Sequence, residues 1–263
     1  MQINGKTKVY GILGDPIHQV TTPELMNSIF DNKKENKVLL PFHVDKHGLK
    51  STINGLKSIQ NFKGAVITMP HKIEIVKYLD EVSNEVKRAG ACNVIKRTHK
   101  GLLKGDLLDG KGFIEGLRQH NHSIKSKNIF LLGAGGAASG IAHALCEIGI
   151  NKLTIYNRSK PKALLLIQSL KAIHSNIEID YNNQILQDTD VLINATSVGM
   201  NENDQPLLSL SNLDSNTLVA EIIISPAMTC TLKRAIEKKC KIHYGIAMLE
   251  GQIKLMNEFM DEE

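Results

Sequence analysis

Six consecutive residues constrain this chain more than any others. Gly133-Ala134-Gly135-Gly136-Ala137-Ala138 closes the apolar run NIFLLG (128–133) and opens a helical pattern over 135–148. Glycines spaced as G-x-G-x-x-A, set between a strand and a helix, form the turn that receives a dinucleotide pyrophosphate. Gly133 permits the tight turn, Gly135 lets backbone come close to the phosphates, and Ala138 is small enough for the helix to pack on the strand. The helix start then offers free N–H groups and the positive end of its dipole to the anion. Such a turn needs a parallel β/α sheet to hold it.

The remaining pattern supplies that sheet. KLTIYN (152–157), a helix near 161–172, IEID (177–180), VLINA (191–195) and LVAEIII (218–224) complete a unit of dinucleotide-binding size. In the first hundred residues KVYGIL (8–13), KVLLPFHV (37–44), GAVIT (64–68) and CNVIKR (92–97) alternate with PELMNSIFDNK and with IEIVKYLDEVSNEVKRAG, read as one long amphipathic helix over 73–90. This alternation predicts a mostly parallel α/β sheet covered by helices. The expected fold class is therefore α/β with two domains. Residues 1–105 form an N-terminal α/β substrate-binding and catalytic domain, and a C-terminal helix at about 246–263 packs back on it. A Rossmann-type NADP-binding domain spans 106–245 and includes the linking helix. The helices from Asp109 to His120 and from Ile246 to Met260 are expected to make the hinge.

Composition excludes several other functions. With 42% apolar and 22% charged residues the chain reads as a soluble globular protein. The N-terminus lacks a basic segment followed by an apolar run, and the most apolar stretch, Leu131 to Ile150, is broken by glycines, His143 and Glu147. A cytoplasmic protein without a membrane partner is expected. The net charge of +5 comes from 32 Lys+Arg against 27 Asp+Glu spread along the chain, without the dense stripe that nucleic acid requires. Cys92, Cys146, Cys230 and Cys240 are scattered and read as reduced residues, not as bridges or zinc ligands. His120 and His122 are close but belong to a polar helix end, so no metal site is expected. The partners left are small molecules, and the chain is read as a monomer or homodimer.

The end of the second strand of the dinucleotide unit decides the cofactor. An NAD site usually places Asp or Glu there; here the residues are Asn157-Arg158-Ser159-Lys160. No carboxylate repels a 2′-phosphate, and a guanidinium can bind one through two hydrogen bonds, so NADP is preferred. A proton donor stands in Thr68-Met69-Pro70-His71-Lys72, where Pro70 is expected in the first turn of the following helix and Lys72 within that turn. Asp109 stands where the linking helix begins, a place that keeps a carboxylate ionised. Alone, Lys72 reads more often as a surface lysine and Asp109 as a common helix cap; only their combination is informative.

In combination the segments GILGDPIHQVTTP, GAVITMPHK, AGACNVI, GDLLDGKG, LLGAGGAASG, NRS, INATSVGM and GIAMLEGQ resemble the shikimate dehydrogenase family, in order and over almost the whole chain. The resemblance implies a two-domain NADP-dependent oxidoreductase of the chorismate pathway, which feeds aromatic amino acid biosynthesis, reversibly reducing 3-dehydroshikimate to shikimate. It places the catalytic pair on Lys72 and Asp109, and the substrate contacts on Thr22, Thr68, Asn93 and Gln252. It places the cofactor contacts on Gly133, Ala134, Gly135, Gly136, Ala137, Asn157, Arg158, Ser159, Lys162 and Thr196.

The departures from the family pattern bear on the substrate. Two serines that hold the substrate carboxylate fall on Val20 and Thr22, an asparagine falls on Val66, an Asn-Thr pair on Leu107-Leu108, and a tyrosine on Ile224. Thr22 can still donate, with Gln19 or Thr21 beside it, whereas Val66 and Ile224 cannot. Two or three lost hydrogen bonds at ~1.5–3 kcal/mol each would weaken shikimate binding by orders of magnitude. The alternatives are a paralogue acting on quinate or another hydroxy acid, and a non-catalytic NADP(H)-binding homologue. Retention of both Lys72 and Asp109 argues against the second.

Overall fold

The computed structural model describes residues 2–185 and 187–261. The chain is α/β throughout and divides into two compact units, Met1–Leu108 with Ile253–Glu263, and Asp109–Gln252.

The first unit is built on six strands: β1 (Lys8–Gly14), β2 (Lys37–His43), β3 (Phe62–Ile67), β4 (Glu81–Val82), β5 (Val94–Arg97) and β6 (Leu103–Asp106). Their order is β2-β1-β3-β5-β6-β4. β1 pairs in parallel with β2 and β3, while β5 runs antiparallel to β3 and β6. Helices α1 (Thr22–Asn32), α2 (Leu49–Ser58) and α3 (Asn84–Ala89) complete it. Leu13, Ile67 and Ile95 of the strands meet Leu49 and Ile53 of α2 and Val86 of α3 in one buried cluster. At the far end of the chain Asp261 accepts a hydrogen bond from the Tyr10 hydroxyl at 2.8 Å.

The long helix expected over 73–90 does not form. A 3-10 turn at Glu74–Tyr78 gives way to β4 and then to α3. Its amphipathic pattern loses to specific polar bonds. The Asp80 carboxylate accepts the Leu103 N–H at 2.7 Å, which aligns β4 with β6, and the Ser83 hydroxyl caps α3 by accepting the Val86 N–H at 3.3 Å.

The second unit carries β7 (Asn128–Leu132), β8 (Lys152–Tyr156), β9 (Glu178–Tyr181), β10 (Val191–Asn194), β11 (Leu218–Glu221) and β12 (Lys241–His243). All are parallel, in the order β12-β11-β10-β7-β8-β9. Buried on both faces, β7 sends Ile129 and Leu131 into one core and Phe130 and Leu132 into the other. Around the sheet lie α4 (Asp109–Gln119), α5 (Gly136–Glu147), α6 (Lys160–Ile173), α7 (Cys230–Glu237) and the first part of α8 (Ile246–Asp261). The chain winds outward in opposite directions from β7 and β10, so the carboxyl ends of these neighbours open a crevice at the point where the winding reverses.

Candidate active site

In the first unit the residues singled out from sequence gather at the carboxyl ends of β1 and β3 and at the amino end of the antiparallel β5. Thr68 follows β3, and its N–H reaches the Leu13 carbonyl of β1 at 2.9 Å. A side chain at Gly14 would collide with the Thr68 methyl group, so the two strand ends are in close contact. Lys72 is half-buried. It does not lie in a helical turn: the 3-10 turn begins at Glu74, two residues later, and Met69–Pro70 is a cis peptide. The helical turn expected to carry Lys72 is therefore absent. Its backbone is held instead by the chain on both sides. The Lys72 carbonyl accepts the Cys92 N–H at 2.8 Å, and the fully buried His71 ring bonds to the Val44 carbonyl at 2.6 Å.

Asn93 is 1% exposed and tied to strands on either side. Its N–H donates to the Asp106 carbonyl, its carbonyl accepts the Ile67 N–H, and its side-chain oxygen accepts the Leu108 N–H at 2.8 Å. Val66 and Leu108 are buried, and Val20 is half-buried. Thr22 is buried at the first turn of α1. Thr21 precedes it with a buried hydroxyl oxygen that has no hydrogen-bond partner in the protein, a feature sequence reading did not distinguish.

In the second unit α4 begins at Asp109, which is 2% exposed. The Gln252 amide donates to its carboxylate at 3.0 Å. Gly112 makes this contact possible: a Cβ there would overlap the Gln252 side chain, so only a glycine lets α8 lie this close on α4. The pair joins residues far apart in the chain, and neither residue alone signals it.

The glycine turn follows β7 as the spacing predicts. Gly133 has φ +119°, which only glycine adopts readily, and a Cβ there would meet the Ala195 carbonyl. The Ala195–Thr196 segment after β10 thus lies against the turn. Above Gly135 the space is open, and α5 starts at Gly136 with no side chain capping its N-terminus. Ala138 is fully buried beneath it, while Ala134 and Ala137 are half-buried. The end of β8 carries Asn157, Arg158 and Ser159, with Lys162 in the first turn of α6. Arg158, Ser159 and Lys162 are exposed, and Asn157 turns its amide onto the Ser159 carbonyl at 3.0 Å. These groups fit a phosphorylated dinucleotide: uncapped N–H groups and open space at the turn, and cations without an acid at the adjacent strand end.

Thr196 belongs to a polar network that sequence reading missed. Asn194 bonds both to Thr196 and to Glu221, a fully buried carboxylate at the end of β11. Its only trace in the sequence is an acidic residue closing an apolar strand. His120 and His122 are joined by His243 of β12, with ring centroids at 5.1 and 5.3 Å. Among the described residues no group of three His, Cys, Asp or Glu is arranged to hold a metal ion. The four cysteines are free thiols, and no helix there is long and apolar enough to cross a membrane.

Comparison with known proteins agrees with this geometry. The family model described as the shikimate dehydrogenase substrate binding domain matches residues 12–95, and that described as shikimate / quinate 5-dehydrogenase matches residues 116–227. The shikimate dehydrogenase (NADP(+)) of Alkaliphilus oremlandii is 36% identical, with 99% of this chain and 93% of the relative covered. A solved shikimate dehydrogenase in complex with NADP+ superposes with a TM-score of 0.91 at 33% identity, covering 99% of this chain and 92% of the other. A 5-ketofructose reductase of Gluconobacter sp. strain CHM43 gives 0.86 at 27% identity, covering 98% and 94%.

Proposed function

The chain belongs to the shikimate dehydrogenase family, and we propose that it interconverts 3-dehydroshikimate and shikimate with NADP(H), the first unit holding the ring acid and the second the dinucleotide. NADPH, when bound, supplies the hydride. Lys72 gives a proton to the carbonyl oxygen during reduction and takes one from the hydroxyl in reverse. Asp109, at the start of α4, accepts the Gln252 amide and orients it and the substrate hydroxyls. Thr68 and Asn93 bind ring hydroxyls. Thr22 and Thr21 receive the carboxylate; the buried Thr21 hydroxyl lacks a partner in the protein, and an anionic oxygen would provide one.

Gly133 to Ala137 and the N-terminus of α5 hold the pyrophosphate, with Thr196 beside them. Arg158, Ser159, Asn157 and Lys162 hold the 2′-phosphate. The enzyme is proposed to work in the cytoplasm as a monomer or homodimer.

The observation that carries this reading is the fixed backbone of Lys72, bonded to Cys92 and flanked by the locked His71, within the segment matched by the substrate-binding family model. Lys72→Ala should lower kcat by roughly two to four orders of magnitude and leave NADPH binding unchanged, as for loss of a general acid. A near-normal kcat in that variant would remove Lys72 from the mechanism. A second reading, a paralogue that prefers quinate or another hydroxy acid, is favoured by the apolar Val66, 5% exposed, and by Ile224 where the family is polar.

A further inference from the structure

Glu221 is the most unusual ionisable group in the second unit. It is 0% exposed, yet four donors converge on its carboxylate. Oε1 accepts the N–H groups of Ile222 at 2.9 Å and Ile223 at 3.1 Å; Oε2 accepts the Asn194 amide at 2.9 Å and the Thr229 hydroxyl at 2.9 Å. An ionised carboxylate has about four lone-pair sites and no donor, so all of them are used.

Asn194 passes this arrangement on. Its amide nitrogen donates to Glu221 and to the Val198 carbonyl, and its oxygen accepts the N–H and hydroxyl of Thr196 at 3.2 and 2.8 Å. The Thr196 oxygen in turn accepts the Val198 N–H at 3.0 Å. A carboxylate can only accept, so it fixes which way the Asn194 amide points. With that fixed, the Thr196 turn is closed against Gly133.

We propose that Glu221 is a positioning residue for dinucleotide binding: as a carboxylate it holds Asn194, and through it the Thr196 turn, in the form that receives the cofactor, and a proton on it releases that turn. A carboxylic acid must donate its own O–H. The Thr229 oxygen can accept it, but the protonated oxygen then meets the Asn194 N–H only as a weak neutral acceptor, so the charge-assisted bond that holds the Asn194 amide against Thr196 is lost. Burial pushes the Glu221 carboxyl up to about 7 against the lowering effect of its hydrogen bonds, so the switch lies within the working range of pH.

The neighbouring ionisable groups do not replace it. Cys230 at the start of α7 is pushed up by burial and by Asp204 and Glu221, which keeps it a neutral thiol, and Asp204 is bonded to the Gly199 N–H of the loop after β10. On β12, burial holds His243 down at about 4, and Lys241 is exposed. On α7, Lys233 is exposed and Arg234 pairs with Glu237.

The inference rests on the second unit being the dinucleotide site. Its test is NADH and NADPH affinity, read by the fluorescence of the reduced nicotinamide from pH 8.5 to 5.5. NADH is the cleaner probe, since the 2′-phosphate of NADPH titrates near pH ~6. For the unaltered protein NADH binding should weaken about tenfold on acidification, the scale of one charge-assisted hydrogen bond. Glu221→Gln should be weak and flat across the range, with kcat at saturating cofactor preserved, and Glu221→Asp should recover the pH dependence. If the unaltered, folded protein binds NADH equally at all pH values, or if Glu221→Gln binds like it, the inference fails alone. Failure of both dinucleotides to bind at every pH would overturn the proposed function together with it.

Discussion

Val66 sits in the strand that leads to Thr68 and Lys72, buried and unable to hydrogen-bond. A polar ring substituent placed against such a side chain gives up water without gaining a partner. Val20 and Ile224 present the same chemistry at two further positions where the resemblance expects polar residues, while Lys72 and Asp109, the proposed catalytic pair, are present. The consequence is a shikimate KM above the usual micromolar-to-millimolar range of enzymes. Val20→Ser, Val66→Asn and Ile224→Tyr should together raise kcat/KM, chiefly by lowering KM. The single variants have to be compared with the triple, because a tyrosine can overfill the space left by Ile224. A low micromolar KM in the unaltered protein would mean that the unpartnered Thr21 hydroxyl and Thr22 already make good the loss.

Among the elements, α4 and α8 cross through glycines, and Gly112 is the one that faces the Gln252 side chain. Gly112→Ala puts a methyl group into the Gln252 side chain, so Gln252 must swing away from Asp109 or α8 must shift. Overpacking of this kind costs about 1–3 kcal/mol. The variant is expected to melt several degrees lower and to lose kcat/KM; unchanged melting and activity would show that the helices are not clamped at this point. The elements also show what the sequence could carry. The strand, turn and helix around Gly133 were legible because each of their glycines answers a local requirement, and the start of α4 at Asp109 was legible from its cap. The helix expected over 73–90 was misread because Asp80 and Ser83 spend their oxygens on β6 and α3, partners no periodicity reveals. Strands β4 and β12 span two and three residues, too few to show alternation. The Gln252–Asp109 and Glu221–Asn194 contacts join distant segments, so they emerge only from the folded chain.

For the molecule as a whole, two buried groups pull stability in opposite directions with pH. His243 is held down at about 4 by burial and by His122 and His120, below its usual 6.5. Above pH 6.5 it is neutral folded or unfolded; as pH falls further the unfolded chain takes up a proton that the folded chain resists, and stability is lost until about pH 4. Glu221, raised from 4.5 to about 7, does the reverse, since between those values the folded state binds the extra proton and gains stability as pH falls. Comparing the unaltered protein with His243→Phe isolates the first effect: the variant should gain in melting temperature relative to the unaltered protein as pH drops from 7 to 5, and a constant difference would refute it. The assignment of function meets its most direct test in the initial rate of dinucleotide reduction with shikimate, measured with NADP+ and with NAD+ for the unaltered protein and for Arg158→Asp. An NADP-dependent shikimate dehydrogenase should oxidise shikimate faster with NADP+ than with NAD+ at equal subsaturating concentrations, and Arg158→Asp should abolish or reverse that preference. Absence of shikimate oxidation with NADP+ while quinate or another hydroxy acid is turned over, or an NADP+ preference untouched by Arg158→Asp, would contradict it.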